Sequence, residues 1–189
     1  MANMLPPLLP DCWNSAYLSY WQPMQAEDAL TSGYCWFDYR RNLCRIDGLF
    51  NPWSERETGY QLWMTEIGDA AAERTLKRKI AYAREQTAAG CQVLASPLAD
   101  EQAPFHQLFL PQTVLRDHHA EFIGQSEVLG QLADSWRFQR QGKDLSIFYL
   151  RVGSGLLLRM RSGDGRCTSV RDFPNLSVAP IPEAVFAVS

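Results

Sequence analysis

Glu66 ends the run Leu62-Trp63-Met64-Thr65-Glu66, where a carboxylate follows apolar residues. Apolar surroundings favour the neutral form of a carboxyl group, so such a residue can exchange protons near neutral pH. A strand-end carboxylate pointing to water is the competing reading. Tyr17 and Ser19 alternate with other residues so that they share one side of a strand with Trp13 and Trp21. Hydroxyls among rings suit hydrogen bonds to an indole N–H or a carboxylate, and equally suit an amphipathic strand bonded to water. Phe50 and Asn51 sit where a strand runs into Pro52. Loops at barrel mouths often carry function, and an asparagine before proline is also a plain turn residue. Arg171, in Ser169-Val170-Arg171-Asp172-Phe173, could grip a substrate carboxylate bidentately or pair with its neighbour Asp172.

These residues belong to a chain whose aromatic rings crowd its first third, most densely from Ser32 to Glu66. There the rings interleave with a few carboxylates, amides and hydroxyls. That mixture suits a concave pocket for a flat aromatic small molecule. It does not resemble a metal cage or a phosphate cradle. No G-x-G-x-x-G, Walker-type glycine loop or G-x-S-x-G elbow is present. His106, His118 and His119 read as surface or structural residues, because adjacent histidines on a helix point apart.

At 189 residues the chain predicts a single domain with a real core. A net charge of -3 and scattered basic residues argue against nucleic acid as a partner. The run Arg74 to Lys79 reads as a solvated face. Five cysteines with no C-x-x-C pair predict reduced thiols rather than disulfides or zinc. The N-terminus has no basic n-region and is broken by prolines, so no signal peptide is expected, and no 18-residue apolar run predicts a membrane helix. The expected location is cytoplasmic, away from any membrane.

Short strands dominate the pattern. They are predicted at 13–21, 34–39, 43–50, 58–67 and 74–86, then at 121–129, 135–140, 145–151, 156–161 and 168–173. Residues 34–50 read as a hairpin about the turn Arg40-Arg41-Asn42. Pro52 reads as loop, because it cannot donate to a ladder. Residues 91–104 read as strand then loop, and 111–118 as one or two helical turns. The fold class is mainly β: a meander curling into a barrel or half-barrel with few short helices.

Two stretches carry a resemblance. One is Ser32-Gly-Tyr-Cys-Trp-Phe-Asp-Tyr39; the other is Cys44-Arg-Ile-Asp-Gly-Leu-Phe-Asn-Pro-Trp-Ser-Glu-Arg56. Here the chain resembles the VioE family of violacein biosynthesis. The likeness extends to Pro6–Pro10, Ser15–Tyr17, Leu62–Met64, Leu108–Pro111 and Arg171–Asn175. It implies a curled antiparallel sheet forming an incompletely closed β-barrel, shaped like lipoprotein carriers, and a homodimer. It implies an enzyme with no metal and no organic cofactor. Such enzymes act after a flavin-dependent tryptophan oxidase and a haem enzyme that yields an indole-3-pyruvate imine dimer. They move one indole ring to the adjacent carbon, giving protodeoxyviolaceinic acid or prodeoxyviolacein instead of chromopyrrolic acid. The implied site residues are Glu66 as proton carrier, with Tyr17, Ser19, Phe50, Asn51 and Arg171 binding substrate. The rival expectation is a carrier that holds a small hydrophobic ligand in the same cavity without chemistry.

Overall fold

A computed structural model describes residues 5–25, 28–52, 60–69, 71–104, 109–140, 142 and 144–187. The side chains of residues 29, 50–52, 60–62, 83, 84 and 103 lie outside that description.

The first strand, β1 (Cys12–Gln22), buries Trp13, Ser15 and Tyr17 while the residues between them stay more open. This is the predicted alternation. β2 (Ala29–Asp38) and β3 (Leu43–Pro52) form the expected hairpin, followed by β4 (Tyr60–Asp69) and β5 (Arg74–Thr87). β6 (Gly90–Pro97) and β7 (Glu101–Pro104) both pair with β5. A single helical turn, α1 (Val114–Asp117), precedes β8 (Glu121–Val128), β9 (Gln131–Gln139), β10 (Leu145–Arg151), β11 (Leu157–Gly163) and β12 (Thr168–Asp172). A short 3-10 turn, Glu183–Phe186, follows.

Among the described residues, twelve strands make one antiparallel sheet in the order β6-β5-β4-β3-β2-β1-β12-β11-β10-β9-β8, with β7 also on β5. Two meanders are joined where the first strand pairs with the last, Ser19 opposite Arg171. The outermost strands on that path, β6 and β8, are not paired with each other, so the sheet curls without closing. That is the mainly β, incompletely closed fold expected.

Two local expectations fail. Pro52 continues β3, opposite Ala29 at the strand's last position, where a missing N–H costs least. Residues 101–104 form a four-residue strand rather than a loop, held by β5 register and the Lys79–Glu101 ion pair at 2.7 Å.

The concave face holds the core. Trp13 stacks on Phe37 with centroids 4.6 Å apart and meets Phe173 edge-on at 5.6 Å. Val114 and Leu115 of α1 pack into the same cluster, so the helical turn plugs the curl from one side. Leu9 is fastened above it by its N–H, which donates to the Gln112 carbonyl at 3.1 Å.

Candidate functional site

Strand register decides which side chains can meet. Residues directly opposite in antiparallel neighbours point to the same face. One row across β1, β2 and β3 is therefore Tyr17, Gly33 and Gly48. A Cβ on Gly33 would collide with the Asp47 carbonyl, and one on Gly48 would overlap the Tyr17 hydroxyl. Gly48 leaves the room in which the Tyr17 hydroxyl lies, and Gly33 lets the β2 and β3 backbones approach closely. Gly48→Ala is expected to displace that ring, lowering stability by about 1–3 kcal/mol. Thermal melts should show Tyr17→Phe recovering part of the loss. An unshifted melting temperature for Gly48→Ala would refute that packing.

Beside Tyr17 lies Arg171. Its guanidinium carbon sits 5.2 Å from the Tyr17 ring centroid. Its Nε is buried and has no hydrogen-bond partner among the described residues. The alternative pairing with Asp172 does not occur: Asp172 faces the other side of the sheet and accepts from Arg159 Nη2 at 2.9 Å. Ser19 is directly opposite Arg171 and half-buried. The backbones of Phe50 and Asn51 lie opposite Thr31 and Leu30, which extends the Arg171–Ser19–Thr31 row to Phe50. The side chains of Phe50 and Asn51 lie outside the described residues.

Glu66 occupies the row Ile46–Glu66–Lys77, on the face that carries Tyr17. Its side chain is 13% exposed, so it is not on the outer skin. Its surroundings are less apolar than the sequence suggests, because Lys77 Nζ lies 2.9 Å from Glu66 Oε1. The basic run is likewise no plain solvated face: Lys77, Arg78 and Lys79 each hold an acid.

The Tyr17 phenol is pushed up to about 12, first by burial, against the opposing pull of Arg171; Glu66 adds to the rise. At neutral pH it is a hydrogen-bond donor. Burial also pushes the Cys35 and Cys44 thiols up to about 12 and raises the Tyr39 phenol. In the unfolded chain these groups would ionise nearer 9.0 for the thiols and 10.0 for the phenols. Above pH 9 the unfolded state thus binds fewer protons than the folded one, so stability falls as pH rises towards 12. Melting temperatures should step down from pH 9 to 10.5. A flat profile there would contradict these shifts.

A cavity of about 600 Å³ opens on the concave face. That volume suits a ligand of two ring systems. Its apolar wall includes Trp13, Phe37, Phe109, Phe148 and Met160. Its polar wall includes Tyr17, Arg171, Ser146, Ser162 and Ser169, with Arg140 and His118 also bordering it. Glu66 and Ser19 do not line the cavity; Ile46, opposite Glu66, does. The structure therefore brings Tyr17 and Arg171 into the hollow and sets Glu66 and Ser19 beside its walls.

Sequence reasoning missed the three serines, Arg140, Lys77 and the cavity-side place of His118, whose ring stacks on Phe138 at 5.7 Å. His106 lies outside the described residues. The serines come together only through the register of three strands. Lys77 could have been found by aligning the alternations of 58–67 and 74–86.

The sequence profile of the violacein biosynthetic enzyme VioE matches residues 6–186. The chain belongs to the VioE family. As a VioE-family protein it is a violacein biosynthetic enzyme by kinship. No curated protein matches it. Among solved structures it is similar to an uncharacterized conserved protein from Thermus thermophilus. That match has 11% identity and a TM-score of 0.51, covering 94% of this chain and 85% of that one. The likeness is one of fold alone. It also matches the MucA/MucB complex of Pseudomonas aeruginosa with 15% identity and a TM-score of 0.46, over 94% of this chain and 56% of that one. A structure of MucB in complex with MucA(peri) matches with 13% identity and a TM-score of 0.44, over 94% and 54%. Among the described residues of this VioE-family chain, no helix is long and apolar enough to cross a membrane.

Proposed function

We propose that this protein rearranges an indole-3-pyruvate imine dimer by moving one indole ring to the adjacent carbon. Pyrrole closure releases one imine nitrogen as ammonia and one carboxyl leaves as carbon dioxide, giving protodeoxyviolaceinic acid or prodeoxyviolacein, and no metal or organic cofactor takes part. The observation that carries the reading is Arg171: a half-buried arginine whose buried Nε has no partner among the described residues, in a ring-lined cavity of two-ring size. A cation with a free donor is matched to a carboxylate. Aromatic walls are matched to indoles.

The intermediate reacts without help, so the protein's main contribution is to hold one conformer. Trp13, Phe148 and their neighbours hold the rings, and Phe50 shares that role. Arg171 and Asn51 hold a carboxylate or imine nitrogen. The protonated Tyr17 hydroxyl and Ser19 orient the substrate by hydrogen bonds. Glu66, kept beside the hollow by Lys77, moves a proton as the imine–enamine balance changes during migration.

The test is a coupled reaction. Tryptophan is supplied to the upstream oxidase and haem enzyme, with and without this protein, and products are separated by chromatography. The pyrrole precursor should replace chromopyrrolic acid when the protein is present. A product mixture unchanged in identity would leave only the ligand-carrier reading.

A further inference from the structure

The polar wall of the cavity is more ordered than a carboxylate clamp at Arg171 requires. Ser146, Ser162 and Ser169 lie directly opposite one another on β10, β11 and β12. All three border the cavity. They form one row across the strands, about 10 Å long at ordinary strand spacing. The adjacent row is Phe148, Met160 and Arg171, one pleat away on the same face. Ser169 thus precedes Arg171 by two residues and points the same way. Phe138 is opposite Ser146, and Arg140, two residues further on, stands exposed at the cavity's edge.

Three hydroxyls in a row on a ring-lined face need an explanation. Each carries one donor. Ser146, which is 1% exposed, donates to Ser162 at 3.4 Å. Among the described residues the hydroxyls of Ser162 and Ser169 donate to nothing. The cavity's charge is one-sided as well. Arg140 and Arg171 border it, and no described Asp or Glu does. Arg161 also borders it, but its register places it on the opposite face, opposite Val170 and Ile147.

A cavity that Arg140 and Arg171 enter from its own face, with two unspent hydroxyl donors and no described acid, fits a ligand with two negative charges. One guanidinium holds one carboxylate in a two-point grip. An indole-3-pyruvate imine dimer carries a carboxylate on each half. We infer that the row Ser146–Ser162–Ser169, with Arg140 at the mouth, is a second carboxylate subsite that holds the half of the substrate Arg171 does not. This rests on the rearrangement proposed above. Seating both acid groups fixes the bis-indole at two points, so it cannot pivot about Arg171, and the migrating ring is presented in one orientation.

The experiment compares two stable probes by quenching of tryptophan fluorescence. Chromopyrrolic acid is a bis-indole dicarboxylate; indole-3-acetate carries one acid. The double variant Ser162→Ala/Ser169→Ala is expected to bind chromopyrrolic acid at least ten-fold more weakly and indole-3-acetate within two-fold of wild type. Arg140→Gln should weaken the dicarboxylate alone. If the double variant folds poorly, Ser169→Ala serves in its place, because it removes no hydrogen bond among the described residues; at least a three-fold, dicarboxylate-selective loss is expected. Equal weakening of both probes, or no weakening of either, would overturn the subsite. The coupled reaction separates this from the functional reading. A wild-type protein that leaves the products unchanged would overturn the rearrangement, while the two-probe comparison would still decide the subsite.

Discussion

Glu66→Gln is expected to lower the yield of the pyrrole product by about two orders of magnitude, the scale at which a positioned acid–base group contributes. The amide keeps the shape of the side chain and removes its ability to carry a proton. It also strips Lys77 of its partner, and that loss has its own cost. Both side chains are largely but not wholly buried, so the destabilisation should be about 1–3 kcal/mol, between the exposed and fully buried limits. The double variant Lys77→Met/Glu66→Gln removes the stranded ammonium and should recover stability without recovering product. Coupled-reaction chromatography and thermal melts separate the two effects. Wild-type yield from a folded Glu66→Gln protein would refute the proton role.

Arg171→Ala should act mainly on capture. A charge-assisted hydrogen bond is worth about 1.5–3 kcal/mol, which corresponds to roughly a ten- to hundred-fold rise in apparent KM, with a smaller change in kcat. Arg171→Lys should recover only part of that loss, because a point charge lacks the guanidinium's planar fork. The Tyr17 ring would lose its cation, a contact worth about 1 kcal/mol, so melting temperature should fall modestly. Unchanged apparent affinity in Arg171→Ala would count against a carboxylate grip at this residue.

Much of the fold was legible because strands with one buried face alternate. Trp13, Ser15 and Tyr17 show that period in the sequence and are buried in the structure. The run 74–86 has the composition of a helix, yet its alternation of Leu76, Arg78 and Ile80 with lysines correctly indicated a strand. Four residues ending in proline, Glu101–Pro104, are too short to show any period, so β7 was invisible.

The site was legible in proportion to how local its residues are. The inward face of Tyr17 follows from its own strand, whereas the strand of Glu66 carries apolar residues on both sides and left its direction open. That Asp172 turns away from Arg171 follows from the same period of two, since successive residues on a strand point to opposite faces. Contacts that depend on two or three strands lining up were not legible. The Glu66–Lys77 pair and the row of Ser146, Ser162 and Ser169 exist only once register is set.

The packing of Tyr17 against Gly48 bears on how the proposed site could be widened for bulkier indoles. On that side the missing Cβ of Gly48 is already filled by the Tyr17 hydroxyl, a side chain the proposed site needs. Extra room must be carved from the opposing flank, where Met160 and Phe148 offer volume that smaller residues would release. On the proposed function, imine dimers built from halogenated or alkylated tryptophans are thus best accommodated by shortening Met160, the more pliable of the two.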